Sequence, residues 1–183
     1  MFVTVNHIPA PGDAGPALEA RFGQRQRLVD QLPGFRAFEL LRPRDGHVYL
    51  VMTSWATRTD FEAWRASPQQ RPVRPAQAGH LSHADMASWP TFHETRAEKY
   101  AESWPPDGEA VMTIEATNEE LSNLTLATRC LSAQVLRTLE GSWDGAERPT
   151  AEYLLVRRWA RKAPTAPSYD ILQPSYAALT STR

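Results

Sequence analysis

QLPGFRAFELLRPRDGHVYLVMTSWATRTDFEAW, residues 31 to 64, reads as two paired strands followed by a helix. Pro33-Gly34 stops whatever helix precedes it, and Phe35 to Leu41 is the first run of strand formers. Pro43, Asp45 and Gly46 supply the chemistry of a turn. His47 to Trp55 returns as a partner strand rich in β-branched and aromatic residues, and Thr57 or Thr59 then offers a side-chain oxygen to cap a helix carrying Phe61 and Trp64. A strand pair followed by a helix with large apolar residues is the middle of a small α+β sandwich.

Toward the N-terminus, Phe2 to Ile8 alternates apolar and polar residues as a half-buried strand does, and Pro9, Pro11 and Gly12 end it. Gly15 to Leu32 reads as one helix with Leu18, Phe22, Val29 and Leu32 on a common face and Arg21, Arg25 and Arg27 elsewhere. The order is β-α-β-β-α, so one more strand completes a ferredoxin-like βαββαβ unit. Residues 66 to 107 hold Pro68, Pro72, Pro75, Pro90, Pro105 and Pro106, three of the five histidines and little apolar periodicity. This predicts a long loop with one helical turn near Glu94 to Tyr100, of the kind that carries function or links units.

Beyond it the pattern restarts. Glu109 to Glu115 predicts a strand, and Thr117 or Asn118 a cap for a helix through Leu121, Leu124, Leu126 and Leu131. Val135 to Leu139 and Ala151 to Trp159 predict a hairpin. Tyr153 to Ala160 lies on Tyr49 to Ala56 without a gap, matching Tyr, Leu, Trp and Ala. The expectation is an internal duplication: a first ferredoxin-like unit over residues 1–67, a Pro-rich linker with candidate ligand histidines over 68–107, and a diverged second unit over 108–183, the two joined near residue 100. The Pro-rich tail after Lys162 is a segment that could wrap a second chain.

The balance of 20 basic and 21 acidic residues gives no bulk field for nucleic acid or an anionic membrane. Cys130 is the sole cysteine, which excludes an intrachain disulfide and a thiolate cluster. No run approaches the roughly 18 apolar residues of a membrane span, and Asn6, His7 and Pro9 interrupt any leader-like start. A soluble cytoplasmic protein is expected.

Several motifs in the first unit stand together: Asn6 on the first strand, Gly-Pro-x-Leu-Glu-x-Arg-Phe from Gly15 to Phe22 with Arg25 beyond, Pro-Gly-Phe-x-x-Phe-x-Leu-Leu-Arg-Pro from Pro33 to Pro43, Tyr-x-Val-x-Thr-x-Trp from Tyr49 to Trp55, and Phe-x-Ala-Trp from Phe61 to Trp64. This block, over roughly residues 2 to 67, resembles the antibiotic biosynthesis monooxygenase superfamily and, within it, the heme-degrading monooxygenases of the IsdG type. The resemblance implies a dimeric α/β-barrel of two ferredoxin-like sheets, here a pseudo-dimer within one chain or a homodimer. It implies heme as substrate and cofactor, with O2 and an external electron donor.

In such enzymes a first-strand Asn donates a hydrogen bond to the ligand on the iron, a Trp on the second helix pushes the porphyrin out of plane, and a nearby His ligates iron. Asn6 and Trp64 match the first two. A neutral amide polarises without supplying a proton, and an indole is bulky enough to ruffle a macrocycle. The usual ligand position falls on Gln77 when Ala78-Gly79-His80 is aligned to the family's motif, leaving His80, then His83, as the substitute iron ligand. Arg21 and Arg25, four apart on the first helix beside Phe22, are candidates for the propionates, against the commoner reading of an exposed arginine pair. His7 is expected on the face opposite Asn6, and His47 at a turn. In the second unit Ile114 or Glu115 falls where Asn6 stands, so that half is expected to carry no site. The same fold also suits a cofactor-independent oxygenase of an aromatic, polyketide-type molecule, or a non-catalytic heme-binding module.

Overall fold

The computed structural model describes residues 1–24, 28–67, 88–105, 109–121, 123–141, 151–161 and 167–176. Eight strands close into one antiparallel barrel: β1 (Phe2–Pro9), β2 (Phe35–Pro43), β3 (Val48–Trp55), β4 (Trp89–Tyr100), β5 (Ala110–Thr117), β6 (Cys130–Glu140), β7 (Tyr153–Ala160) and β8 (Ser168–Tyr176). Their order round the barrel is β1-β3-β2-β8-β5-β7-β6-β4. Helix α1 (Ala14–Gly23) joins β1 to β2 and is followed by a 3-10 turn at Leu28–Gln31, while α2 (Arg58–Ala66) follows β3. The first four strands run β4-β1-β3-β2 and the last four run β8-β5-β7-β6, the same order twice.

Strand alternation sorts side chains into two cores. Val3 and Val5 of β1, Leu50 and Met52 of β3, Met112 of β5, Leu136 of β6 and Val156 of β7 fill the barrel. Phe2 and Ile8 of β1, Phe38 and Leu40 of β2, and Tyr49 and Trp55 of β3 face outward and bury against Leu18 of α1 and Phe61 of α2. Two close contacts set the helices on this outer face. Gly15 of α1 lies against Tyr49, where a Cβ would come 2.8 Å from the phenolic oxygen, and that hydroxyl donates to Glu19 at 2.6 Å. Gly34, at φ +77°, lies under Asp60, where a Cβ would collide with the carboxylate. Asp60 completes a capping box with Thr57 that starts α2.

Both ends of the barrel interior are polar. At one end Glu39 of β2 takes a bidentate pair from Arg158 of β7, at 2.7 and 2.6 Å, and both side chains are almost wholly buried. Arg158 also donates to Gln134 Oε1, Tyr176 donates to Glu39, and Trp104 covers the guanidinium. Burial works against the arginine's charge, and Glu39 more than offsets it, leaving the pKa above its ordinary value. At the other end His7 donates from Nδ1 to the Trp89 carbonyl at 3.2 Å, and His93 Nε2 bonds Thr91 Oγ1 at 2.9 Å. Burial pulls His7 down to about 4; burial and the neighbouring His7 pull His93 to about 3.

Four sequence expectations change. Residues 89–100, read as loop with a helical turn at Glu94 to Tyr100, form β4: its inward side chains are Thr91, His93 and Thr95, so polar residues facing a polar barrel end erased the apolar alternation. The first four-stranded sheet therefore includes β4 and extends past residue 67 to Tyr100. The described residues between 118 and 129 contain no helix: Asn118 Oδ1 accepts from the Glu152 amide across to the β7 approach, and Thr117 Oγ1 accepts from the Glu119 amide in a local turn that does not run on into a helix. Part of the segment after Lys162 is a strand: β8 (Ser168–Tyr176) inserts between β2 and β5 and closes the barrel. Gly15 to Leu32 is not one helix but α1 and the 3-10 turn, with 25–27 outside the described residues.

Two outcomes follow. Arg158→Met leaves Glu39 charged and buried with its main partner gone, and should cost about 3–5 kcal/mol in urea unfolding, most of it recovered in Glu39→Leu/Arg158→Met; a single variant as stable as wild type contradicts the pairing. Both histidines have native pKa values below the 6.5 of a free imidazole, so the unfolded chain binds more protons as pH falls below that value. Unfolding free energy should drop by about 3 to 4 kcal/mol between pH 7 and pH 5, with roughly half of that drop removed in His93→Gln; a pH-independent stability contradicts it.

Candidate functional site

Side chains on the outer face of the first four-stranded sheet form rows across the strands. One row runs Pro90, Asn6, Val51, Leu40 and Leu172, from β4 through β1, β3 and β2 to β8. The row beside it runs Phe92, Thr4, Thr53 and Phe38. Phe2, Trp55 and Phe35 follow at the end covered by α2. Asn6 is therefore the single carboxamide in an apolar row, and both it and Val51 are only half-buried. No hydrogen bond ties the Asn6 amide to another described residue. Its N–H donors face a slot that contains no ionised group in either row.

The two helices make the walls. On the α1 side Phe22 packs on Phe38 with ring centroids 5.9 Å apart. On the α2 side Trp64, half-buried, stacks on the fully buried Trp55 at 5.2 Å and 28°. Phe61 fills the angle between Phe2, Trp55 and Phe92. Under this wall runs a polar line that the sequence did not reveal: Trp55 Nε1–H donates to Thr53 Oγ1 at 3.1 Å, and Thr53 Oγ1 lies 2.8 Å from Thr4 Oγ1. Threonines on two strands carry no signal until the register pairs them.

Asn6, Phe22 and Trp64 thus share one face of the molecule, and Arg21 stands exposed in the last turn of α1. Arg25, Gln77, His80 and His83 lie outside the described residues. His7 and His93 point into the barrel, away from Asn6, and His47 is exposed at the β2–β3 turn. No described histidine faces the slot. Among the described residues no three His, Cys, Asp or Glu side chains gather to hold a metal ion.

The second half decides between Ile114 and Glu115. In β1 and β3 Phe2 pairs Trp55 and Asn6 pairs Val51; in β5 and β7 Val111 pairs Trp159 and Glu115 pairs Leu155. Glu115 occupies the place of Asn6, exposed and paired to Arg157 at 2.9 Å. An ion pair stands there in place of an open amide.

Comparison with known proteins bears first on the N-terminal half of the chain. The antibiotic biosynthesis monooxygenase family profile matches residues 1–76. The chain is 43% identical over 82 residues to a mycobilin-producing heme oxygenase of Mycobacterium tuberculosis, covering 44% of this chain and 74% of that protein. A solved heme-degrader of the same organism, with two hemes bound in its active site, is 35% identical over 50% of this chain and 92% of its own, with a TM-score of 0.40. The crystal structure of an anthrone oxidase-like protein, only 13% identical, aligns over 97% of this chain and 93% of its own with a TM-score of 0.55, a likeness of whole fold. On the extent and identity of the match to the heme oxygenase, this chain belongs to the antibiotic biosynthesis monooxygenase family.

Proposed function

We propose that the protein is a heme-degrading monooxygenase that opens the porphyrin ring and releases iron, using O2 and an external electron donor. The observation that carries this reading is Asn6: a lone neutral amide, half-exposed, set in an apolar row between two helices of a chain 43% identical to a heme oxygenase over this unit. The slot suits a flat apolar macrocycle, because Phe22, Val51, Phe92 and Trp64 are incompletely buried hydrophobic residues packed on one core. When bound, heme would supply the redox chemistry, the protein supplying binding, orientation and electrostatics. Asn6 would donate a hydrogen bond without offering an acidic proton, Trp64 would press on the ring plane, and Arg21 with Arg25 would hold the propionates. The iron ligand would come from residues 68–87, His80 first and His83 next, since no described histidine faces the slot.

The repeated strand order and the matched registers of β1/β3 and β5/β7 support an internal duplication in which the second unit serves as partner for the first and has no site of its own. One barrel per chain then replaces the two-chain barrel of a dimer. No described helix is long and apolar enough to cross a membrane. A cytoplasmic setting, a small-molecule substrate and an external reductant belong to the same proposal.

Heme titration followed by absorption, then ascorbate in air, tests it. Wild type should give a saturable Soret band that decays on reduction. Asn6→Ala should bind heme but decay roughly 10- to 100-fold more slowly, the range for one hydrogen bond to a charged acceptor. His80→Ala should alter the iron spectrum. No binding at micromolar heme contradicts the proposal and directs the search to electron-rich aromatic substrates for the same slot.

A further inference from the structure

Trp64 rests on another indole, and that indole is held more firmly than Trp64 itself. Trp55 ends β3 and is 0% exposed. Phe35 meets its ring edge-on at 5.8 Å and 87°, and Phe61 at 6.2 Å and 64°, so its plane is boxed on two sides. Its Nε1–H points to Thr53 Oγ1, and Thr53 is fixed in turn by Thr4 on the neighbouring strand. Trp64, by contrast, sits near the end of the nine-residue α2 with part of its ring uncovered. Two rotatable bonds would leave that ring several orientations without a fixed surface beneath it.

The second half separates the fold's requirement from the site's. Trp159, the counterpart of Trp55, also buries its indole and donates Nε1–H to a threonine, Thr113, at 3.0 Å. Anchoring a strand-end tryptophan to a threonine is thus common to both halves, as a buried indole N–H requires. Among the described residues a second indole lies on the anchored one in the first half alone.

We propose that Trp55 is a positioning residue for the heme-degrading reaction: locked by the Thr4–Thr53 hydroxyl pair, it sets the plane in which Trp64 is presented to the slot. Thr4 lies two residues before Asn6 on the same face of β1, so one strand orients both functional groups. The inference rests on the heme reading for its catalytic consequence, though the geometric part does not need heme.

Two stacked indoles couple optically, so the heme-free protein should show a far-ultraviolet circular dichroism couplet that Trp64→Phe removes. Thr53→Val, nearly the same size, takes away the acceptor and should weaken that couplet by about two-fold or more. Thr53→Ser should restore it, which separates loss of the hydroxyl from misfolding. With heme bound, Thr53→Val should keep affinity within about three-fold, weaken the resonance Raman marks of out-of-plane distortion, and slow ring opening by about ten-fold. In a Trp64→Phe background the same change should add nothing. An unaltered couplet in Thr53→Val, or an equal rate loss with and without Trp64, overturns the proposal. A wild type that binds no heme overturns the functional reading instead, and the couplet still decides the positioning.

Discussion

Closure of the barrel is the constraint from which the rest follows. A four-stranded ferredoxin-like sheet has two open edges, here β2 and β4, each a row of unpaired backbone donors and acceptors. The second four strands satisfy both: β8 pairs β2, and β6 pairs β4. The Glu39–Arg158 pair crosses between the halves inside the barrel, a contact whose desolvation is tolerable only because Gln134, Ser132 and Tyr176 complete the hydrogen bonding. Such a pair adds little net stability over an apolar filling, but it penalises any register that separates the two side chains.

Apolar side chains from both halves pack in the barrel interior, and the half-buried Asn6 row lies outside it, between sheet and helices. The first half keeps two short helices over its outer face and leaves the Asn6 row partly open between them. The second half places the Glu115–Arg157 ion pair where the amide would be. The second four strands thus close both edges of the first sheet and place an ion pair, not an open amide, at the matching register position. Arg58 at the start of α2 reaches Glu140 at the end of β6 at 2.7 Å, so the second half also touches the helix that carries Trp64.

Much of this was legible in residues 2 to 67, because there the apolar residues face a core made by local helices and the turn chemistry is explicit: Pro33-Gly34, Asp45-Gly46 and Thr57 all act as their types suggest. Asn6 and Trp64 were singled out by motif resemblance, and the structure puts Asn6 on the outer face of the first sheet and Trp64 on the helix packed over that face. The failures share a cause. β4 escaped notice because His93, Thr91 and Thr95 face a polar interior, and β8 because its strand begins beyond a Pro-rich segment and is justified only by two partners distant in sequence. The leucines at 121, 124 and 126 have helical spacing, yet Asn118 before them bonds across to Glu152. The Thr4–Thr53–Trp55 line depends on register, which no single strand reveals.

The open row beside Asn6 is the proposed place of porphyrin oxidation. Mass spectrometry of the products after reduction of heme-loaded protein under isotopically heavy oxygen tests this most directly. The wild type should give a ring-opened tetrapyrrole carrying label from the gas, with iron released in step, and Asn6→Ala should form both roughly 10- to 100-fold more slowly. Recovery of intact heme from the wild type, or equal initial rates in wild type and Asn6→Ala, would contradict this.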